Sequence, residues 1–199
     1  GKRPQRVVPH LVLADVGDPT LPPRRGSWVL VCAVLGLAAA VLRVVEARYG
    51  KSQLDYERYP ILAVSSVYGI DILEDNVRQC RQRLFGIFDL NYLRLFKGKS
   101  QDDCRESVRY ILERNMIHGD ALSLKTVGDN PKPIVFSEWS PVNGSMLKRR
   151  DFTFHGLLEH EAIKELPLFS DLGEDVFIPT PEKEYPLTHF LEVADVDKQ

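Results

Sequence analysis

The segment Val67-Tyr68-Gly69-Ile70-Asp71-Ile72-Leu73-Glu74-Asp75-Asn76 reads as a short apolar strand that ends in an acid and enters a helix at once. Forty-nine positions after Asp71, the run Asn115-Met116-Ile117-His118-Gly119-Asp120-Ala121-Leu122 repeats the design around Asp120. Strands that alternate with helices lie side by side and parallel, so this pattern predicts an α/β fold with a mostly parallel sheet. In such sheets ligands bind outside the carboxyl ends of the strands, where a carboxylate can accept both hydroxyls of a ribose. Asp71 is therefore a candidate ribose ligand, with Ile72 offering an apolar face to an adenine ring. Asp120 is the candidate acceptor for the exocyclic amine, with Ala121 beside it. Each acid also has a plainer reading, Asp71 as a helix N-cap and Asp120 as a turn residue after Gly119.

Around these strand ends the pattern continues. An alanine- and leucine-rich stretch from Trp28 to Tyr49 predicts a long helix with Gly50 at its C′ position, and a second helix is expected over 54–65. After the strand at 67–72, Val77, Cys80, Leu84 and Phe88 recur at helical spacing and predict a helix over 75–88. Residues 89–99 read as a polar and aromatic connector, 101–114 as a helix, 115–119 as a strand and 133–137 as a third strand. From 159 to 199 the chain carries eleven acids against three lysines, with several prolines, and predicts a loosely packed acidic extension with a short strand or two. The expected organisation is thus an irregular segment with an apolar helix over 1–41, an α/β core over 42–158 and the acidic extension over 159–199.

At 199 residues and 44% hydrophobic composition the chain has enough apolar material for one good-sized domain. The net charge of −2 provides no global basic field for nucleic acid. Cys32, Cys80 and Cys104 are odd in number and widely spaced, without a Cys/His cluster, which argues against a disulfide framework and against a zinc site. Free thiols fit a reducing cytoplasm. The sixteen residues Ser27 to Leu42 form an apolar run between Arg24-Arg25 and Arg43. They fall short of the roughly 20 needed to cross a bilayer as a helix, so a membrane-tethered protein using residues 27–42 is the minority reading.

Tyr68-Gly69-Ile70-Asp71-Ile72-Leu73-Glu74-Asp75-Asn76, followed by Cys80-Arg81, Ile117-His118-Gly119-Asp120 and Pro133-Ile134-Val135-Phe136-Ser137-Glu138-Trp139, resembles bacterial S-adenosylmethionine-dependent DNA methyltransferases of restriction-modification type. The likeness extends from about Leu42 to Phe154. It implies a Rossmann-like methyltransferase domain, S-adenosylmethionine as cofactor with Asp71 on its ribose and Asp120 by its adenine, and N6-adenine methylation of a base flipped out of double-stranded DNA. A restriction endonuclease or specificity subunit is the further partner the resemblance implies, with no metal.

Two features of that family are absent. Nowhere does the chain carry a glycine-rich loop of the kind Glu/Asp-Pro-x-x-Gly-x-Gly, and Asp15-Val16-Gly17-Asp18 after Val12-Leu13 is a faint substitute, with Pro19 and Pro22-Pro23 blocking the helix that should follow. The tetrapeptide Asn/Asp-Pro-Pro-Tyr/Phe is missing as well, and Glu138 as acceptor with Trp139 as stacking platform are the candidate replacements. Lys148, Arg149 and Arg150 form a compact basic cluster that could grip phosphates, against the common alternative of a solvated charged face. Since the likeness begins abruptly at Leu42, residues before it read as frame-shifted or degenerate, which predicts an inactive chain with an uncovered sheet edge and marginal stability. A non-catalytic adenosine- or DNA-binding subunit is the leading alternative.

Overall fold

The computed structural model describes residues 10–13, 44–158 and 180–198. The apolar run 27–42, the faint loop 15–18 and the residues 159–179 lie outside this set. Within it the chain is mixed α/β, with two small sheets.

Residues 44–49 are helical and stop at Gly50, whose N–H returns to the Glu46 carbonyl at 2.9 Å. A Cβ at position 50 would lie 2.6 Å from that carbonyl oxygen, so a glycine suits the expected C′ position. Helix α1, Gln53–Ser65, starts at Ser52, whose hydroxyl accepts the Asp55 N–H. It feeds β2, Val67–Asp71. Helix α2, Glu74–Leu95, opens with Glu74 and Asp75, where the helix dipole favours negative charge. Helix α3, Asp102–Asn115, delivers the chain to β3, Met116–Asp120.

Helix α2 absorbs residues 89–95, which the sequence reads as connector. Tyr92 explains the extension: its ring is fully buried, stacked on Phe88 at 5.4 Å, and its hydroxyl donates to buried Glu57 of α1 while accepting the Gln101 N–H at 2.9 Å. A polar-looking stretch thus has a core partner 35 positions away.

The first sheet has the order β1-β2-β3-β4, where β1 is His10–Leu13 and β4 is Lys125–Thr126. Strands β1, β2 and β3 are parallel, and β4 closes the far side antiparallel to β3. β1 runs in register with β2 from His10 opposite Val67 to Leu13 opposite Ile70, so the edge expected to lie open is paired.

The predicted third strand belongs elsewhere. β5, Val135–Val142, and β6, Met146–Thr153, form an antiparallel hairpin in a second sheet. Asn143 and Gly144 between them both take positive φ, which lets the chain reverse in three residues. A parallel pairing would need a crossover of a dozen or more residues. Two short strands, β7 Lys183–Glu184 and β8 Thr188–His189, add to β6, and a 3₁₀ helix over Val193–Lys198 follows. The described end of the acidic extension is therefore packed rather than loose, with Phe190 and Val193 each only 1% exposed.

The helices contact β2 and β3 but also run past the parallel sheet on its amino side. α1 and α3 both end at the amino ends of the strands, where the Asn115 amide donates to the Ser65 carbonyl at 3.1 Å. α2 leaves the opposite edge, yet by Arg81 it has reached that same level, since the Arg81 Nε donates to the Met116 carbonyl at 3.1 Å. Its remaining fourteen residues run about 20 Å further at 1.5 Å each. The main core accordingly joins all three helices to Trp139, Leu147, Phe190 and Val193. A smaller core packs Tyr68 and Ile70 of β2 on Ile134, Phe136 and Phe154.

Candidate functional site

Parallel register places Asp71 opposite His118, so the two side chains share a face, and strand alternation puts Asp120 on that face two residues on. The three polar groups thus stand at the carboxyl edge of adjacent strands. Both aspartates form the same local bond. The Asp71 Oδ1 accepts the Leu73 N–H at 2.8 Å, and the Asp120 Oδ1 accepts the Leu122 N–H at 2.9 Å. Asp71 also accepts from the Asn76 amide at 3.0 Å through Oδ2. Asp71 is not the N-cap of α2, since that position is Leu73.

The Leu122 N–H, aided by Ser123, holds the Asp120 carboxyl below its ordinary range. Burial, helped by the nearby Asp71 charge, pushes the Cys80 thiol up. His118 Nε2 lies 3.0 Å from the Ile72 carbonyl and so ties the two strand ends together. Its position two residues before Asp120 is the sequence signal that marks it as a member of this edge.

Apolar side chains flank both acids. Ile72 and Ala121 are half-buried, while Leu73 is 48% exposed and Leu122 is 83% exposed. A leucine that open to solvent, two positions after each acid, offers apolar surface beside a hydrogen-bond acceptor. Such a pairing suits a planar ring carrying polar substituents.

The other candidate residues stand apart from this edge, Trp139 meeting Asn115 at the amino end of β3. Glu138 and Trp139 are neighbours on β5 and face opposite ways. The Trp139 ring is buried, and its indole N–H donates to the Asn115 side-chain oxygen at 3.2 Å. Glu138 pairs with Arg150 at 3.2 Å and accepts from the Ser140 hydroxyl at 3.1 Å. The two side chains do not form a joint acceptor and stacking platform.

Lys148, Arg149 and Arg150 alternate along β6 in the same way. Lys148 pairs with Glu184 at 3.1 Å, and Arg150 with Glu138. Arg149 is 5% exposed, forked onto Asp151 with 2.8 Å contacts through both Nε and Nη2, and capped by the Tyr185 ring at 4.0 Å. Its Nη1 reaches the Tyr110 hydroxyl at 2.6 Å and Asp197 at 3.1 Å. Arg149 therefore joins the second sheet to the 3₁₀ helix.

Among the described residues no group of three or more His, Cys, Asp or Glu could hold a metal ion, and no helix is long and apolar enough to cross a membrane. Comparison with protein-family models, with curated proteins and with solved structures finds no match to this chain.

Proposed function

We propose that the chain is the cofactor-binding portion of an S-adenosylmethionine-dependent DNA methyltransferase-like protein of bacterial restriction-modification type. One observation carries the reading: Asp71 and Asp120 end adjacent parallel strands on one face, each followed by an exposed leucine. In this reading Asp71 accepts the ribose hydroxyls, Asp120 accepts the adenine amine, and Ile72 and Ala121 border the ring. The order β1-β2-β3 is compatible with one mononucleotide-binding half of a Rossmann-like sheet. Double-stranded DNA is the corresponding substrate, with adenine N6 as the methyl acceptor, a restriction endonuclease or specificity subunit as partner, and the cytoplasm as the setting.

The non-catalytic form of this reading is favoured by a specific observation. Trp139 is buried and Glu138 is ion-paired, so these two residues do not offer an open acceptor and stacking pair to a flipped base. Binding of the cofactor without methyl transfer is the expected behaviour. Ultraviolet cross-linking of S-adenosylmethionine followed by peptide mapping tests it. Adducts within 71–76 and 118–124, together with no methyl transfer to adenine in duplex DNA, support the proposal. Adducts elsewhere, or none above background, overturn it.

A further inference from the structure

Leu124 has φ +59°, a left-handed conformation that an L-leucine adopts only when its surroundings enforce it. The surroundings here are visible. Its side chain packs against the smaller core of Tyr68, Ile70, Ile134, Phe136 and Phe154, and its carbonyl accepts the Ile134 N–H at 2.9 Å. The same isoleucine closes the other side of the loop, because a Cβ on Gly119 would lie 2.7 Å from the Ile134 Cδ1. Residues 119–125 are therefore folded tightly onto Ile134, with Asp120 bonded to the Leu122 N–H and Leu122 left 83% exposed. Backbone strain held by packing next to a candidate site is a known mark of a pre-organised element.

The geometry points to Leu124 as the positioning residue of the Asp120 loop: its apolar anchor on the smaller core sustains the left-handed turn that presents Asp120 and Leu122 together at the ligand edge. Leu124 touches no ligand in this account and acts through the two residues it holds. In so far as the ligand is a nucleoside, the inference rests on the function proposed above.

Two variants separate anchor from conformation. Leu124→Asn tolerates positive φ and loses the apolar anchor, while Leu124→Ile keeps an apolar side chain and opposes positive φ. In the full chain both should weaken S-adenosylmethionine binding at least fivefold by calorimetry. Both should also return the Asp120 carboxyl, followed by NMR titration, toward the ordinary aspartate value of about 3.9. Circular dichroism and the NMR spectrum of the remaining residues report whether each variant is folded. A folded Leu124→Asn with unchanged Asp120 titration and unchanged affinity overturns the inference. If the wild type does not bind the cofactor while the Asp120 titration still moves in both variants, the loop assignment stands and the nucleoside reading falls.

Discussion

Asp71 and Asp120 end neighbouring parallel strands and close the same turn, each carboxylate accepting the main-chain N–H two residues ahead, from Leu73 and from Leu122. The bond fixes the carboxylate orientation and leaves lone pairs free, since an ionised carboxylate offers about four acceptor sites. An Asp→Asn change at either position keeps one acceptor oxygen and removes the charge, whereas Asp→Ala removes both. The turn and any ligand contact can thus be tested separately.

The buried pair Arg149 and Asp151 gives the clearest stability prediction. Arg149→Met leaves Asp151, only 8% exposed, without its guanidinium. Breaking a buried ion pair from one side costs about 3–5 kcal/mol. Urea unfolding should show that loss, with Arg149→Lys recovering only part of it because an ammonium cannot reproduce the fork. A loss below about 1 kcal/mol, the range of exposed pairs, would contradict the arrangement.

The acid limb of stability should depend on Asp197. Burial works against its charge, but the Tyr110 hydroxyl with Arg149 and Arg114 outweighs that and holds its carboxyl below the ordinary range. A carboxyl depressed in the folded state contributes fully above its unfolded pKa, and the contribution drains away as pH falls through the folded value. Asp197→Asn should therefore be less stable than wild type at neutral pH, with the two curves converging as pH falls below about 4. Parallel curves between pH 7 and pH 2 would exclude the contact.

Two glycines in the parallel strands predict losses of different size. Gly119→Ala would put a Cβ 2.7 Å from Ile134 Cδ1 and 3.1 Å from the Lys125 carbonyl oxygen, a backbone atom that cannot swing aside. Overpacking of this kind costs about 1–3 kcal/mol. Gly69→Ala meets only the Met116 Sδ at 2.9 Å, the flexible part of a thioether side chain, and should cost clearly less. Thermal unfolding of the two variants side by side checks the ranking.

Cys104 is fully buried and its thiol is pushed well up, chiefly by that burial and then by Glu57. Alkylation followed by mass spectrometry should find it unmodified in the native protein and modified once urea unfolds the chain. Rapid native labelling of Cys104 would contradict the packing of α3.

What the sequence made legible was local. The apolar runs ending at Asp71 and Asp120 marked β2 and β3 to within a residue or two, and helical spacing of apolar side chains marked α1, α3 and the first half of α2. The third strand was misplaced because it pairs locally, as a hairpin with β6, and two further misreadings involve distant partners. Residues 89–95 looked like connector because Tyr92 finds Glu57 only in three dimensions. Lys148-Arg149-Arg150 looked like a basic face because strand alternation sends Arg149 inward, to Asp151 beside it and to Asp197 from the acidic extension 48 positions on. At the candidate edge the two acids were legible and their flanking residues were not. The left-handed turn at Leu124 follows from its packing on the core that holds Ile134, and the exposure of Leu73 and Leu122 follows from no motif.

Titration of S-adenosylmethionine into the wild type, Asp71→Ala and the distant control Asp197→Asn by calorimetry tests the central claim most directly. The account predicts saturable binding to the wild type and to the control, and at least a tenfold loss, about 1.4 kcal/mol, in Asp71→Ala. Equal heats for wild type and Asp71→Ala would remove the Asp71 edge as the cofactor site.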